Sequence, residues 1–430
     1  MVNLPLLTVL SNRSFLYLWL AQVASQLAGN LLNFVLLLRI AQLTQSNTIA
    51  SLFVIAISLP AFFFGGIAGV YVDHSEKKSV LFYCNLLRVV AVFGFLLTAE
   101  TTLWIFVLAV VISIITQFFV PAEASLIPEY VKKNQLLGAN GLFTLTFYSL
   151  VIVGFMLAGP LLVAIGANGV FLLCALFFLI ATAFVGFLPG KNSWSSLQHI
   201  HLVRGKLFQL ITNWQGLVKR MLVQLKEGYD YIKENGKISE AIFIMAWVQI
   251  LIATMSAIAP GYADTVLKLE ITDASLYIVG PAVAGMIVGS IIVGILGNLW
   301  AVKKMITGGV ILSGVFLSVL SFLSRGKYSE IFADSNNFLG FDILHLAMFF
   351  LFALGVSSSI VTVSANTVLQ ETQMHIRSRV YGFLTAAAGL GSVFPVLAAG
   401  ILSDLLGVVK VMLVMGFGIL LFGLARLFRK

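Results

Sequence analysis

Apolar runs of about 20 residues, the length an α-helix needs to cross the hydrocarbon core of a bilayer, recur along the whole of this 430-residue chain. They can be read at 14–38, 48–72, 79–99, 102–126, 139–165 and 168–189, and again at 240–263, 275–299, 304–323, 342–367, 379–403 and 408–427. Twelve such runs leave few folds open. In lipid every backbone N–H and C=O must find a partner within the protein, and a helix supplies all of them inside one span. Composition agrees: 60% of residues are hydrophobic and only 10% charged, against about 45–50% and about 25% in an ordinary soluble domain. That excludes a soluble enzyme, a nucleic-acid-binding protein and a secreted disulfide scaffold. Cys84 and Cys174 both sit inside apolar runs and suggest neither a disulfide framework nor a metal cluster. The segment 1–13 lacks the short apolar core and small-residue cleavage site of a signal peptide. The expected fold is all-α, an integral membrane protein of 12 transmembrane helices.

The net charge of +9 is a statement about topology. Placing both termini and the polar stretch 190–238 on one side gathers 20 of the 26 lysines and arginines there, among them Arg13, Lys132, Lys133, Arg377 and Arg379. Four remain on the other side and two, Arg39 and Arg88, lie within spans. By the positive-inside rule the cation-rich side is the cytoplasm, so the expectation is a multi-pass protein of a bacterial or archaeal cytoplasmic membrane with both termini inside. Nucleic acid is not an expected partner; membrane lipids and a small solute are, with the chain acting as a monomer.

The stretch 190–238 divides the chain into six spans (1–189) and six more (239–430). Within it, apolar residues from Leu207 to Ile232 recur at helical spacing with lysines and arginines between them, as in an amphipathic helix lying on the membrane surface. The two halves repeat one another. Gly69-x-x-x-Asp73-x-x-x-Lys77-Lys78 after span 2 returns after span 8 as Gly294-x-x-x-Asn298 followed by Lys303-Lys304, an offset of 225. Glu129 and Glu371, each followed by a pair of basic residues, are 242 apart, and the 17 extra residues match the long loop Ser324–Phe341. In spans 5 and 11, Gly159…Gly166 and Gly400…Gly407 share one offset, 241. Two six-helix bundles of the same hand are the architecture of transporters that rock about a central site.

Several of these motifs resemble those of the major facilitator superfamily, and in particular its drug-efflux branch of macrolide and siderophore exporters. The resemblance rests on Asn12-Arg13-Ser14-Phe15 with Trp19 and Ser25-Gln26-Leu27, on Gly65-Gly66, Gly69, Asp73 and Lys77-Lys78, and on Leu86-Leu87-Arg88. It extends through Pro121-Ala122, Pro128-Glu129, Gly159-Pro160, Glu227-Gly228, Leu369-Gln370-Glu371 and Arg379-Val380-Tyr381-Gly382. It implies a loop gate at Asp73, Lys77 and Lys78, with Asn298 as the weaker counterpart, and, through Gly159-Pro160, transport outwards. The chain departs from the branch where an acidic residue follows the Ser-Gln-Leu run in span 1; here the residues are Ala28-Gly29-Asn30. Asn85 replaces an acid before the span-3 arginine, and Glu123 stands where span 4 often carries arginine.

Read for chemistry, span 1 places Gln22, Gln26, Asn30 and Asn33 on one helical face. Uncompensated amides are costly in hydrocarbon, so that face meets either a watered cavity or other helices. Thr116 and Gln117 in span 4, Trp247 and Gln249 in span 7, and Ser358 and Thr362 in span 10 are further candidates for a cavity wall. Arg88 and Glu123 are the best-placed ionisable pair inside the membrane: Arg88 lies about nine residues into span 3 and Glu123 a few residues from the inner end of span 4. Two readings stay open for them: proton coupling by Glu123, or a structural pair of Arg88 with Glu123 or Asp73. Gly159 and Pro160 read as helix packing and bending. No cofactor or metal site is expected, and no catalytic residues.

The expected activity is secondary transport by alternating access, with the proton gradient as energy source and a hydrophobic or amphiphilic small molecule exported. A lysophospholipid flippase is the competing reading. A sensor that transports nothing is the alternative from another class, and the absence of a sizeable output module argues against it.

Overall fold

A computed structural model describes residues 9–73, 75–98, 101–132, 135–189, 223, 229–296, 301–324, 343–370 and 374–428. Among these residues there is no strand. A short turn of 3₁₀ helix, Val9–Ser11, leads into eleven helices: α1 Arg13–Thr44, α2 Asn47–Asp73, α3 Lys77–Thr98, α4 Thr102–Tyr130, α5 Leu136–Gly186, α6 Gly236–Thr265, α7 Gly280–Leu296, α8 Val302–Leu323, α9 Ile343–Gln370, α10 Met374–Leu406 and α11 Val408–Leu427. Eleven segments are long and apolar enough to cross a membrane; the seventh, Ile271–Val293, begins in short helical turns ahead of α7 and runs into it.

Eleven helices carry twelve expected spans because α5 is 51 residues long and contains both span 5 and span 6. Only Gly166 breaks it, with φ 69° and ψ 171°, a conformation in which a Cβ is strained. The matching junction between spans 11 and 12 turns on Gly407, φ 89°. The 241-residue repeat in the sequence is thus a repeat of backbone geometry: the same left-handed glycine makes the same turn twice.

The chain forms two compact units. The first comprises Met1–Leu36 and Ala56–Val223, the second Leu37–Ile55 and Gln224–Lys430. In the first, α3 packs against α4 and α5. Phe95 of α3 stacks on Phe171 in the second leg of α5 with ring centroids 5.4 Å apart. The first leg of α5 receives α1, through Phe15 on Phe143 at 5.6 Å, Phe34 on Phe155 at 4.9 Å, and the Trp19 indole N–H donating to Thr146 Oγ1 at 2.9 Å.

The second unit repeats this order of neighbours: α8 packs against α9 and α11, while α7 runs along α9 and α6 meets α10. Its seams are made of glycine. A Cβ on Gly314 of α8 would fall 2.5 Å from the backbone nitrogen of Leu420 on α11, and one on Gly416 would fall 2.7 Å from that of Ser318. Between apolar helices in apolar surroundings there is little hydrophobic drive, so close backbone approach supplies the attraction.

Most of the expected amphipathic stretch 190–238, the loop Ser324–Phe341 beyond its first residue, and Asn298 lie outside the described residues; of the stretch, 223, 229–234 and 236–238 are helical.

Candidate functional site

The interior of the first unit holds a polar network centred on Arg88, whose residue is 4% exposed. Its fork is used from both sides. Nη1 donates to Ser25 Oγ on α1 at 2.8 Å and to Asn85 Oδ1 on α3 at 3.2 Å, and Ser25 Oγ itself donates to Asn85 Oδ1 at 3.1 Å. Nη2 donates to Thr116 Oγ1 on α4 at 3.0 Å, and Thr116 passes its own proton to the Ile112 carbonyl at 2.8 Å. The guanidinium lies over the Phe119 ring, 4.4 Å from its centroid, and 5.5 Å from that of Phe178. Three helices and two aromatic faces therefore hold one cation, with only neutral oxygens touching it.

Glu123 lies two helical turns beyond Thr116 on α4 and is 9% exposed. It is within Coulombic reach of Arg88, but the two form no ion pair, and Glu123 Oε1 is buried without a protein partner. The direct Arg88–Glu123 pair offered as the structural reading of the sequence is therefore absent: the fork already has its acceptors in Ser25, Asn85 and Thr116. Gln22 Oε1, Asn30 Nδ2, Asn85 Nδ2 and Arg88 Nε are likewise buried without a protein partner. An unpaired buried polar group costs about 1–3 kcal/mol, so each of these atoms is a candidate partner for water or a polar group.

The four amides of span 1 do not share one role. Gln22 is buried and donates through Nε2 to the Phe143 carbonyl of α5 at 3.2 Å. Asn30 also faces α5, where a Cβ on Gly154 would come within 2.8 Å of its own Cβ. Gln26 and Asn33 are half-buried. Gln117 donates to the Ser113 carbonyl of its own helix at 3.1 Å.

In the second unit Trp247 is half-exposed and stacks with Phe243 and Phe422, and Gln249 is exposed. Ser358 is buried, its carbonyl accepting from Thr362 Oγ1 at 2.9 Å. Its neighbours tie α9 to other helices: Ser313 Oγ of α8 donates to Ser357 Oγ at 2.8 Å, and Ser359 shares a hydrogen bond with Ser290 of α7 at 2.7 Å. Ser313 stands 225 residues after Arg88, so the second half has a neutral hydroxyl where the first has a cation.

Of the loop residues, Asp73 ends α2. Lys77 forms an ion pair with Glu129 at the end of α4. Lys78 is buried, its ammonium donating to the Leu188 carbonyl at 2.5 Å; it ties the start of α3 to the segment after α5. Gly159 is buried and Pro160 exposed inside α5.

The sequence reading missed the aromatic holders of Arg88 and a second polar cluster altogether. In the second unit the Asp404 carboxylate at the end of α10 caps the first turn of α2. Its signal was present: Gly400-x-x-x-Asp404 repeats the spacing of Gly69-x-x-x-Asp73.

A bundle of spanning helices, repeated in two halves and carrying a buried polar network, is the plan on which membrane transporters are built. The sequence model of the major facilitator superfamily matches residues 18–226. The chain is 24% identical to the MFS-type transporter YfiS of Bacillus subtilis (strain 168), over 98% of this chain and 94% of that protein. It is 21% identical to macrolide efflux protein A of Streptococcus pyogenes, over 73% of this chain and 74% of that protein. Among solved structures, the nucleoside transporter NupG superposes with a TM-score of 0.65 at 13% identity, covering 96% of this chain and 98% of NupG. A POT family transporter in complex with 5-aminolevulinic acid does so with a TM-score of 0.69 at 10% identity, covering 97% and 96%.

Proposed function

We propose that the chain is a proton-coupled exporter of hydrophobic or amphiphilic small molecules in the cytoplasmic membrane, working by alternating access with its cation-rich ends inside. The observation that carries this reading is Glu123. Its carboxylate oxygen is buried without a partner, beside a fixed cation that does not neutralise it by contact. A carboxylate so placed is a binding point for a proton, and Arg88 feels its change of charge across a short gap. The neutral amides of span 1 suit an uncharged or amphiphilic solute better than an anion, and the export direction is supported by the likeness to macrolide efflux protein A.

The test is gradient-driven flux in reconstituted vesicles. An imposed pH gradient should drive lipophilic dyes or macrolides, and Glu123→Gln should abolish that dependence while leaving the protein folded. Movement of labelled lysophospholipid, indifferent to both gradient and mutation, would refute the exporter in favour of a lipid flippase.

A further inference from the structure

The first turn of α2 is held by a carboxylate from the far end of the chain. Ser46 Oγ donates to Asp404 Oδ2 at 2.7 Å. The Asn47 backbone N–H and Nδ2 donate to Oδ1 at 2.9 and 3.0 Å. The Thr48 backbone N–H and Oγ1 donate to Oδ2 at 3.0 and 2.6 Å. A helix start leaves its first amides without intrahelical partners. Here all three after Ser46 are satisfied: two by Asp404 and the third, Ile49 N–H, by Ser46 Oγ at 3.3 Å. The negative carboxylate also faces the positive end of the α2 dipole.

The seat around this cap is built for close approach. A Cβ on Gly400, one turn before Asp404 on α10, would lie 2.7 Å from Ser51 Cβ and 2.8 Å from the Asn47 carbonyl oxygen; one on Gly261 of α6 would lie 2.7 Å from Asn47 Cγ. Ser51 and Ser403 are buried there, and their hydroxyl oxygens have no protein partner. The contact is thus hydrogen-bonded rather than greasy. Water can replace every bond in it, so it can part without exposing a core to solvent, and re-form with the same partners.

Its position makes that reversibility useful. Residues 37–55, the adjoining ends of spans 1 and 2, sit in the compact unit of the second half although they belong by sequence to the first. They lie at the ends opposite the cation-rich loops. A carboxylate four residues after a glycine closes span 11 here as Asp73 closes span 2 at the opposite face.

We propose that Asp404 is the outer-face latch of the transport cycle: bonded to Ser46, Asn47 and Thr48 it holds the outer end shut, and it must release them for that end to open. This rests on the alternating-access reading above.

Two measurements test it. With Cys84 and Cys174 replaced by alanine, a Ser51→Cys reporter beneath the latch is treated from outside with a membrane-impermeant maleimide. Asp404→Asn should raise its labelling rate about tenfold while the protein stays monodisperse on size exclusion. Thr48→Val, which removes one donor and leaves the carboxylate in place, should give a smaller rise. An unchanged rate in both variants overturns the latch. Separately, cysteines at Thr48 and Asp404 bridged by a short bifunctional reagent should stop flux until reductant is added, and full flux in the bridged protein overturns the proposal. Labelling needs no substrate. A labelling response with no flux from any variant, the parent included, would therefore uphold an opening contact and refute the transport reading instead.

Discussion

Replacing Arg88 should reverse the usual ranking of conservative and drastic substitutions. The side chain is buried, touches no carboxylate, and donates three hydrogen bonds to neutral oxygens. Bonds from a charged group contribute about 1.5–3 kcal/mol each, so the three give about 4.5–9 kcal/mol, and the Phe119 face adds about 2 when desolvated. Against them stands an effective desolvation penalty of several kcal/mol for a buried ion. The two nearly cancel, so Arg88→Met, which removes both and keeps the volume, should change stability by no more than about 2 kcal/mol. Arg88→Lys keeps the buried charge, but one ammonium cannot serve Ser25 and Asn85 on one side and Thr116 on the other. It loses at least one bond and the planar stacking, about 2–4 kcal/mol. Thermal unfolding in detergent, followed by fluorescence-detected size exclusion, should place wild type and Met together and Lys several degrees below. Flux should be lost in both variants. A lysine variant as stable as wild type, beside a methionine variant that collapses, would refute the reasoning and mean that something other than the neutral fork holds the cation.

Two further outcomes follow from the backbone and from burial. Gly166→Ala and Gly407→Ala force a Cβ into left-handed backbone and should each cost about 1–2 kcal/mol, whereas Gly418→Ala, on an exposed helical face with open space around it, should be neutral or stabilising by about 0.5–1 kcal/mol; denaturation midpoints of the three separate the cases. Cys84 and Cys174 are 7% and 0% exposed, so native protein should resist maleimide until detergent unfolding and then take up two labels.

What could be read from the sequence follows from what the membrane enforces. Span length, the two halves and the glycine repeat are dictated by hydrocarbon thickness and by backbone geometry, and each leaves a one-dimensional trace; Gly166 and Gly407 turned the chain where the 241-residue offset placed them. Arg88 stood out because a charge inside a span has few uses. Its partners did not. Ser25, Thr116, Phe119 and Phe178 are ordinary residues in spans, and only three-dimensional packing brings them round one guanidinium. Glu123 was picked out by type, while its lack of a contact with Arg88 depends on which acceptors reach the fork first. Ser358 and Thr362 were picked out as polar residues of a span, while the bonds of their neighbours Ser357 and Ser359 to α8 and α7 depend on packing that the sequence does not show. Asp404 was overlooked since a carboxylate at a span end is unremarkable until the amides it meets are seen, and those lie more than 350 positions away.

That separation has a consequence for biogenesis. Ser46 leaves the ribosome 358 residues before Asp404. At synthesis rates of about 5–20 residues per second, the wait is roughly 20–70 s. During that interval the start of α2 must be content with water for its orphan amides, so its first turn belongs to the last step of assembly although it is among the first parts made. A nascent chain halted before span 11 would carry an α2 whose first turn lacks its carboxylate cap, a mark that tells an incomplete chain from a complete one.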